Sequence, residues 1–397
     1  MTTPTRVLGR LGRLTSNNPT LAQAGELRSA RVESLRALAA LAVLEGHVFG
    51  LTSGFGAAPR LGYLHRVLLG GGYGVCLFFA LSGFLLYRGF ARQAFAHAGV
   101  IDIRRYFVNR ALRILPLYYS VVVVMMLVSG HAGSPVLWLR FIFFGQSYFP
   151  DSLYIVDGVA WSLAVELHFY LLLPLAAWLL TRASGGRLGL AATWLTLAGA
   201  VLFAIRFLAL SEHLAPSIWQ YNTLTNLVFF VPGMLLALVA IRVERQRPRW
   251  LRGPLESSAA WLVAAASLWL LVWYDYAFEP TILAAAFVTV AAAVLPLRPS
   301  VGTRVLEWRA LSLVGVASYS LYLWHWPIVQ ALVLVSWLPH SYLPQLAVAL
   351  PLCVGVAAVS YALVEAPFLR LRRRWSDVSP APPGRRAVPT ATPAAAR

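Results

Sequence analysis

Lysine is absent from this chain, and charged residues of every kind are scarce. Of its 397 residues, 59% are hydrophobic and 12% are charged, whereas a soluble domain carries about 25% charged residues. The composition therefore excludes a soluble globular protein and indicates a polytopic membrane protein.

Cysteine is also rare. Cys76 and Cys353 lie in apolar segments without metal-ligand spacing, which excludes a disulfide framework and a zinc site, so we expect no bound metal. The glycine-rich run 70–74 lacks the lysine and the strand-loop-helix context of a phosphate-binding loop. We assign it to close packing between helices.

Apolar stretches long enough to cross a bilayer recur along the chain. A crossing helix needs about 20 residues. The sequence predicts about ten such spans, at 33–55, 71–90, 113–129, 158–181, 188–210, 222–241, 258–276, 280–297, 312–338 and 343–366. The predicted fold is all-α, a polytopic membrane bundle of about ten transmembrane helices.

The placement of the arginines predicts the topology. If the N-terminus lies inside, the outward loops hold only Arg60, Arg66, Arg140 and Arg206, which is the positive-inside pattern. We therefore expect a multi-pass protein of the plasma (inner) membrane with both termini in the cytoplasm. The net charge of +18 is then topological and does not indicate a nucleic-acid partner.

Three segments are expected along the chain. Residues 1–31 form a polar, arginine-bearing cytoplasmic segment without the apolar core of a cleavable signal peptide. Residues 32–370 form the transmembrane domain. Residues 371–397, rich in proline, alanine and arginine, are expected to form a disordered basic cytoplasmic tail.

Two ionisable residues interrupt the first apolar segment. Arg36 and His47 are eleven residues apart, almost three helical turns, so they share one helix face about 16 Å apart along the axis. An ionisable side chain deep in the bilayer costs roughly 2.5–3.5 kcal/mol. The pair is therefore a candidate reaction centre reaching from one membrane surface toward the interior.

A polar stripe opens the fourth span. Ser162, Glu166 and Tyr170 recur every four residues, directly after Trp161, and Glu166 lies roughly 12 Å deep. A buried carboxylate needs a partner, so we expect a histidine or an arginine across the bundle, with Glu166 orienting the ring of His47. The alternative is a structural glutamate that only fastens helices.

The ninth span carries a second stripe. Ser318, Tyr322 and His325 lie at i, i+4 and i+7 before Pro327. A hydrogen bond between helices is the alternative to a functional role for His325.

Two arginines mark the predicted cytoplasmic mouth of the third span. Arg110 and Arg113 lie one turn apart, and guanidinium pairs bind phosphate oxygens well. Topology alone would also place arginines here.

Taken in order, these motifs resemble the acyltransferase-3 family of integral membrane O-acyltransferases over residues 32 to 368. The matching pieces are Leu35-Arg36 with His47, the run Phe79–Phe84, Arg110 and Arg113 before Pro116, Trp161-Ser-Leu with Glu166 and Phe169-Tyr170, and the run Ser318–His325. Glu365 resembles the motif that closes the last helix, although an ion pair with nearby arginines is the alternative. Glu45 is an unusual charge for the family.

The resemblance implies an acyltransferase domain that moves an acyl group, commonly acetyl, from acyl-CoA as co-substrate, with no bound cofactor. The acceptor would be a hydroxyl of a sugar, glycolipid, envelope polymer or natural product. His47 is then the catalytic histidine, Arg36 its motif partner and Glu166 a third catalytic candidate, while Arg110 and Arg113 bind the CoA donor. The substrate-binding candidates are Trp161, Tyr170, Tyr322 and His325.

The residue types suit this chemistry. A hydroxyl is a poor nucleophile at neutral pH, and histidine is the side chain whose unperturbed pKa suits it to act as base there.

Two other functional classes remain open: a proton-coupled transporter or flippase in which Arg, His and Glu form a relay, and an inactive scaffold for envelope assembly. Consumption of an acyl-CoA thioester discriminates the enzyme from both.

Overall fold

A computed structural model describes residues 21–54, 62–97, 99–211, 216–246, 248–274, 279–296 and 298–377. Within these ranges the regular secondary structure is helical, joined by turns and loops, apart from one isolated β-bridge between Ser257 and Arg298. The helices are α1 Leu21–Ser53, α2 Tyr63–Leu69, α3 Gly74–Ala96, α4 Ile103–Val128, α5 Pro135–Ile142, α6 Ala160–Ser184, α7 Leu188–Ser211, α8 Pro216–Tyr221, α9 Thr223–Asn226, α10 Val231–Gln246, α11 Ser258–Tyr274, α12 Glu279–Val294, α13 Val301–Leu306, α14 Arg309–Val316, α15 Ser318–Val333, α16 Tyr342–Ser360 and α17 Ala366–Asp377. Short 3₁₀ turns lie at Gly70–Tyr73, Gln146–Tyr148, Leu227–Phe230, Arg249–Leu251 and Gly253–Glu256, and a π-helical turn lies at Tyr361–Glu365.

The prediction of an all-α polytopic membrane protein is confirmed. Among the described residues, seven helical stretches are long and apolar enough to cross a membrane, and two shorter apolar helices, Ser258–Val272 and Glu279–Val294, accompany them. These nine stretches match nine of the ten predicted spans. The seven long ones are Ser29–Ser53, Tyr63–Ala96, Ile103–Val128, Ala160–Ser184, Leu188–Ser211, Thr223–Gln246 and Tyr342–Leu371.

The remaining predicted span, 312–338, is not one helix. It is divided into α14 and α15, with Ala317 between them. In α14, Gly315 packs so closely on α1 that a Cβ there would lie 1.8 Å from the carbonyl oxygen of Glu33. The break places Ser318 at the N-terminus of α15, beside α1.

The predicted start of the third span, residue 113, lies too far along the chain. The helix starts at Ile103 rather than at 113, because the Asp102 side chain accepts a hydrogen bond from the backbone N–H of Arg105 and caps the N-terminus. Arg110 and Arg113 therefore lie on α4 itself and are not in a loop.

The two predicted terminal segments lie largely outside the described residues. Helix α1 begins at Leu21, inside the predicted segment 1–31, and α17 runs to Asp377, inside the predicted tail 371–397. Residues 1–20 and 378–397 are outside the described ranges, so the disordered tail stays a prediction.

Helix α1 occupies the centre of the bundle and contacts α3, α12, α14, α15 and α16. The predicted role of the glycine-rich run 70–74 in close packing between helices is confirmed. A Cβ at Gly71 would lie 2.1 Å from the carbonyl oxygen of Ala42, and one at Gly74 would lie 2.6 Å from that of Ala39. Small residues let these backbones approach, and the approach fixes α1, the helix that carries Arg36 and His47.

Helices α3 and α10 meet through a similar contact, which gives a test of the packing. A Cβ on Gly233 would lie 1.8 Å from the carbonyl oxygen of Ala80, so Gly233→Ala must push the helices apart. We expect a loss of about 1–3 kcal/mol of stability, measured as a lower thermal midpoint of the detergent-purified protein. Gly355→Ala in α16 is the matched control, because no heavy atom beyond the local backbone of its own helix lies within 4 Å of its added Cβ. Equal midpoints for the two variants would contradict the packing assignment.

Candidate active site

A pair of histidines lies deep in the bundle. Nδ1 of His47 on α1 is 2.8 Å from Nε2 of His325 on α15, and the two ring planes are within 14° of each other. His325 is completely buried, and its Nδ1 lies 2.6 Å from the carbonyl oxygen of Tyr322. The Trp326 ring packs edge-on against the His47 ring, with centroids 4.8 Å apart. Both imidazoles are therefore held by hydrogen bonds and ring contacts.

Arg36 is joined to the same neighbouring helix as His47. Its Nε donates to Ser318 Oγ at 3.2 Å and lies 3.8 Å from a carboxylate oxygen of Glu33. The two pairs, Arg36 with Ser318 and His47 with His325, follow the same order along α1 and α15. The helices thus run in the same direction. This agrees with the predicted topology, because successive spans alternate in direction and these two belong to the first and ninth predicted spans.

A cavity of about 50 Å³ lies between α1, α3, α6 and α15, with Arg36 of α1 in its lining. Its polar lining includes the hydroxyl groups of Ser82, Ser162, Ser318, Tyr319 and Tyr322 and the carboxylate of Glu166. Apolar side chains, among them Phe78 and Phe79, form the rest of the wall. The cavity is a mixed polar and apolar passage inside the membrane domain.

One end of this cavity lies beside the histidine pair. Tyr322 lines the cavity, and its ring centroid is 5.6 Å from that of His325. The Tyr322 hydroxyl hydrogen-bonds Ser162 at 2.7 Å, and Phe78 packs edge-on against the Tyr322 ring at 5.7 Å. Tyr322 therefore lines the cavity and also contacts His325 of the histidine pair.

Glu166 does not occupy the predicted position beside His47. Its carboxylate accepts short hydrogen bonds from the hydroxyls of Ser82 and Tyr170, while the partner of the His47 ring is His325. The carboxylate also interacts electrostatically with Arg36. The prediction that Glu166 orients His47 is wrong, because the carboxylate accepts hydrogen bonds from Ser82 and Tyr170 while the His47 ring hydrogen-bonds His325.

The predicted donor-binding arginines lie beyond the Arg36 end of the cavity. Arg110 stands over the ring of Tyr170 at 5.9 Å, and its buried Nε has no hydrogen-bond partner among the described residues. A separate pocket of about 300 Å³ adjoins Arg110 and is also lined by Arg105, Tyr106 and Asn109. Arg113 interacts electrostatically with Arg36. Arg113 is therefore near Arg36 of the cavity lining, and Arg110 is near Tyr170, which donates to Glu166 of that lining.

Glu365 belongs to this site; the side chains of Arg372, Arg373 and Arg374 lie outside the described part of the chain, so the alternative of an ion pair with the following arginines stays a prediction. One Glu365 oxygen accepts from the backbone N–H of Ser320 at 3.0 Å and from its hydroxyl at 2.5 Å. The π-helical turn Tyr361–Glu365 presents the carboxylate to the first turn of α15. Glu365 thus holds the helix that carries Ser318 and His325.

Trp161 lies at the side of the cavity and away from the histidine pair. Its ring packs on Tyr221 at 4.9 Å and on Phe79 at 6.2 Å.

Glu45 points to another part of the bundle, where it accepts a hydrogen bond of 2.9 Å from Tyr342.

Sequence reasoning placed Ser162 and Ser318 on polar stripes but did not assign them to the site, and it assigned no role to Trp326. The helical spacing of Ser318 with Tyr322 and His325 was the available signal for Ser318. Nothing comparable marked Trp326, because only the approach of α1 brings its indole against His47.

The fold and the site define a class: a polytopic membrane protein whose bundle encloses a histidine pair, an arginine and a cavity lined by hydroxyl groups. The chain belongs to the acyltransferase-3 family, whose model, described as an acyltransferase domain, matches residues 29–365.

Three relatives illustrate the similarity. The chain is 30% identical over 327 residues to the "Putative peptidoglycan O-acetyltransferase YrhL" of Bacillus subtilis (strain 168), covering 75% of this chain and 50% of that protein. It is 26% identical over 333 residues to the peptidoglycan O-acetyltransferase OatA of Listeria monocytogenes, covering 75% and 49%. It is 28% identical over 338 residues to nodulation protein 10 of Rhizobium leguminosarum bv. viciae, covering 75% and 82%.

The chain spans about half the length of the first two of these relatives. No solved structure matches it.

Proposed function

We propose that this protein transfers an acyl group, acetyl in the first instance, from acyl-CoA to a hydroxyl group of a cell-envelope glycan or glycolipid. The observation that carries the proposal is the cavity lined by both Arg36 and Tyr322, next to the histidine pair. An arginine and hydroxyl groups around one cavity suit the polar carbonyl of a thioester that enters from a basic surface. Two bacterial relatives are named as peptidoglycan O-acetyltransferases, one of them putatively, and this supports a glycan acceptor.

The arginines suit the phosphates of CoA. Arg110 presents an unpartnered buried Nε, and Arg105 and Asn109 line the adjoining pocket. Guanidinium groups bind phosphate oxygens through charge-assisted hydrogen bonds. In the proposed topology this end faces the cytoplasm of a plasma-membrane protein, so the CoA phosphates stay at the surface while the acyl group reaches the interior.

His47 acts as the general base in this proposal. It takes the proton from the acceptor hydroxyl as the hydroxyl oxygen bonds to the thioester carbonyl carbon. The C–S bond then breaks, and the proton passes from His47 to the departing CoA thiolate. The oxyanion formed in between needs a hydrogen-bond donor, and the Tyr322 hydroxyl supplies one in this proposal by turning away from its partner Ser162.

The test is acyl transfer by the purified protein in detergent, followed as the release of free CoA thiol. We expect acetyl-CoA consumption that depends on an added hydroxyl acceptor. A protein that carries protons or lipid across sealed vesicles but leaves the thioester intact would instead be a transporter or flippase. If the protein bound CoA but showed no turnover with any of the acceptors supplied, it would be an inactive scaffold.

The role of the arginines gives a separate prediction. Arg110→Ala and Arg113→Ala should raise the KM for acetyl-CoA, because each lost charge-assisted hydrogen bond is worth about 1.5–3 kcal/mol when desolvated. The measurement compares acetyl-CoA with acetyl-pantetheine, which lacks the nucleotide phosphates. We expect the wild type and both variants to have the same KM for the truncated donor. Arg182→Ala, whose guanidinium packs on the Trp178 ring, is the control outside the pocket. Variants that fail equally with both donors would show that the arginines are structural.

A further inference from the structure

His325 faces a group that can only accept a hydrogen bond. Its Nδ1 lies 2.6 Å from the backbone carbonyl oxygen of Tyr322. The contact therefore requires a proton on Nδ1 of His325. A neutral imidazole carries one N–H and one lone pair, so Nε2 of His325 holds the lone pair and is an acceptor.

The same logic extends to His47. Nε2 of His325 and Nδ1 of His47 are 2.8 Å apart, and a hydrogen bond needs one donor and one acceptor. Since His325 supplies the acceptor, Nδ1 of His47 carries the proton. The lone pair of neutral His47 is thereby assigned to Nε2, on the ring edge away from His325.

The ring of His47 is also held against rotation. Trp326 packs edge-on against it at 4.8 Å, and the indole rests on Gly158, where a Cβ would lie 2.7 Å from Trp326 Nε1. A half-turn of the His47 ring would move Nδ1 away from His325 and lose the hydrogen bond. Packing thus confines the plane of the ring, and the hydrogen bond to His325 selects between its two flipped orientations.

We infer that His325 is a positioning residue that fixes His47 in the one tautomer whose Nε2 can take a proton from the acceptor hydroxyl. The assignment of the tautomer stands on the geometry alone, while its use in acyl transfer rests on the proposed function. When His47 accepts the proton at Nε2, its Nδ1–H still donates to His325. Hydrogen bonding to the charged form stabilises the imidazolium until the proton passes to the CoA thiolate.

The kinetic test replaces His325 with two residues of similar size. His325→Phe keeps a flat ring but has no acceptor, and His325→Gln offers a carbonyl oxygen in place of Nε2. In Ser–His–Asp hydrolases a wrong histidine tautomer costs about 10⁴-fold, and we expect His325→Phe to lose at least about 10²-fold in kcat with little change in either KM. His325→Gln should be at least about tenfold more active than His325→Phe.

His168→Phe is the matched control. His168 lies on α6 and pairs with Thr223 at 2.7 Å, away from the histidine pair, so this variant should keep wild-type kcat. Wild-type kcat in His325→Phe would overturn the inference. Equal losses in His325→Phe and His325→Gln would reduce His325 to a packing residue and would also overturn it.

A second measurement does not depend on turnover. Nitrogen NMR of ¹⁵N-histidine-labelled protein in nanodiscs reports which ring nitrogen carries the proton, and the His47 signals are assigned by difference with His47→Gln. We expect protonated Nδ1 and unprotonated Nε2 on His47, with a mixture of tautomers in His325→Phe. A protein that shows this pattern but consumes no acyl-CoA would refute the proposed function and leave the tautomer assignment intact. An active protein with the opposite tautomer would refute the positioning role alone.

Discussion

Replacing His47 by alanine is expected to abolish acyl transfer while leaving the protein folded in the membrane. Loss of a general base typically lowers the rate by about 10²–10⁴-fold. The loss should fall on kcat, because the cavity and the arginines that would bind the donor are unchanged. His47→Gln, which keeps most of the side-chain volume, should be equally impaired because an amide is not a base at neutral pH.

The measurement is the release of CoA thiol at equal protein concentration, with size-exclusion chromatography in detergent as the check on folding. His65→Ala is the control, because that ring packs on Phe49 at 5.2 Å and lies apart from the histidine pair. Turnover within about threefold of wild type in His47→Ala would remove His47 from the mechanism.

The second large effect is expected at Arg36. Its guanidinium donates to Ser318, approaches Glu33 and lines the cavity. Arg36→Ala removes these interactions and leaves the part-buried Glu33 carboxylate without this counter-charge. The charge-assisted hydrogen bond to Ser318 is worth about 1.5–3 kcal/mol, so we expect roughly a 10–10²-fold loss in kcat/KM.

Arg36→Lys should recover only a small part of this loss. An ammonium keeps the charge but cannot reproduce the planar fork of donors. Arg31→Lys is the matched control, because Arg31 sits on the same helix and pairs with Glu307 at 2.7 Å outside the cavity. If Arg36→Lys matched the wild type, the site would need only a positive charge at this position.

The transmembrane helices were largely predictable because the length of an apolar run is a local property of the sequence. The two errors had specific causes. The N-terminal extension of α4 depends on the Asp102 cap. The arginines before residue 113 suggested a loop, but they lie on the helix. The break at Ala317 separates two helices inside one apolar run and accompanies the contact of Gly315 with the backbone of α1. Neither contact is visible in hydropathy.

The site was predictable in its residue types and less so in its pairings. Helical periodicity correctly placed Ser318 and His325 along one face, and the structure brings that face to Arg36 and His47. The expected pairing of Glu166 with His47 failed because charge complementarity was the only guide available from sequence. Two neutral imidazoles can satisfy each other without any charge, and that solution leaves no sequence pattern.

The π-helical turn at Tyr361–Glu365 has a consequence for comparing homologous sequences. A π-turn holds about one residue more than an α-turn, and Leu363 within it is 72% exposed while Glu365 is buried. Because the wider turn absorbs the extra residue, deleting one residue here would restore α-helical winding and leave the following residues nearly in phase. The same deletion elsewhere in α16 or α17 would instead rotate the following residues by about 100°. A one-residue gap at this turn in an alignment of homologues is therefore compatible with an intact site, whereas a gap in the regular helix on either side is not.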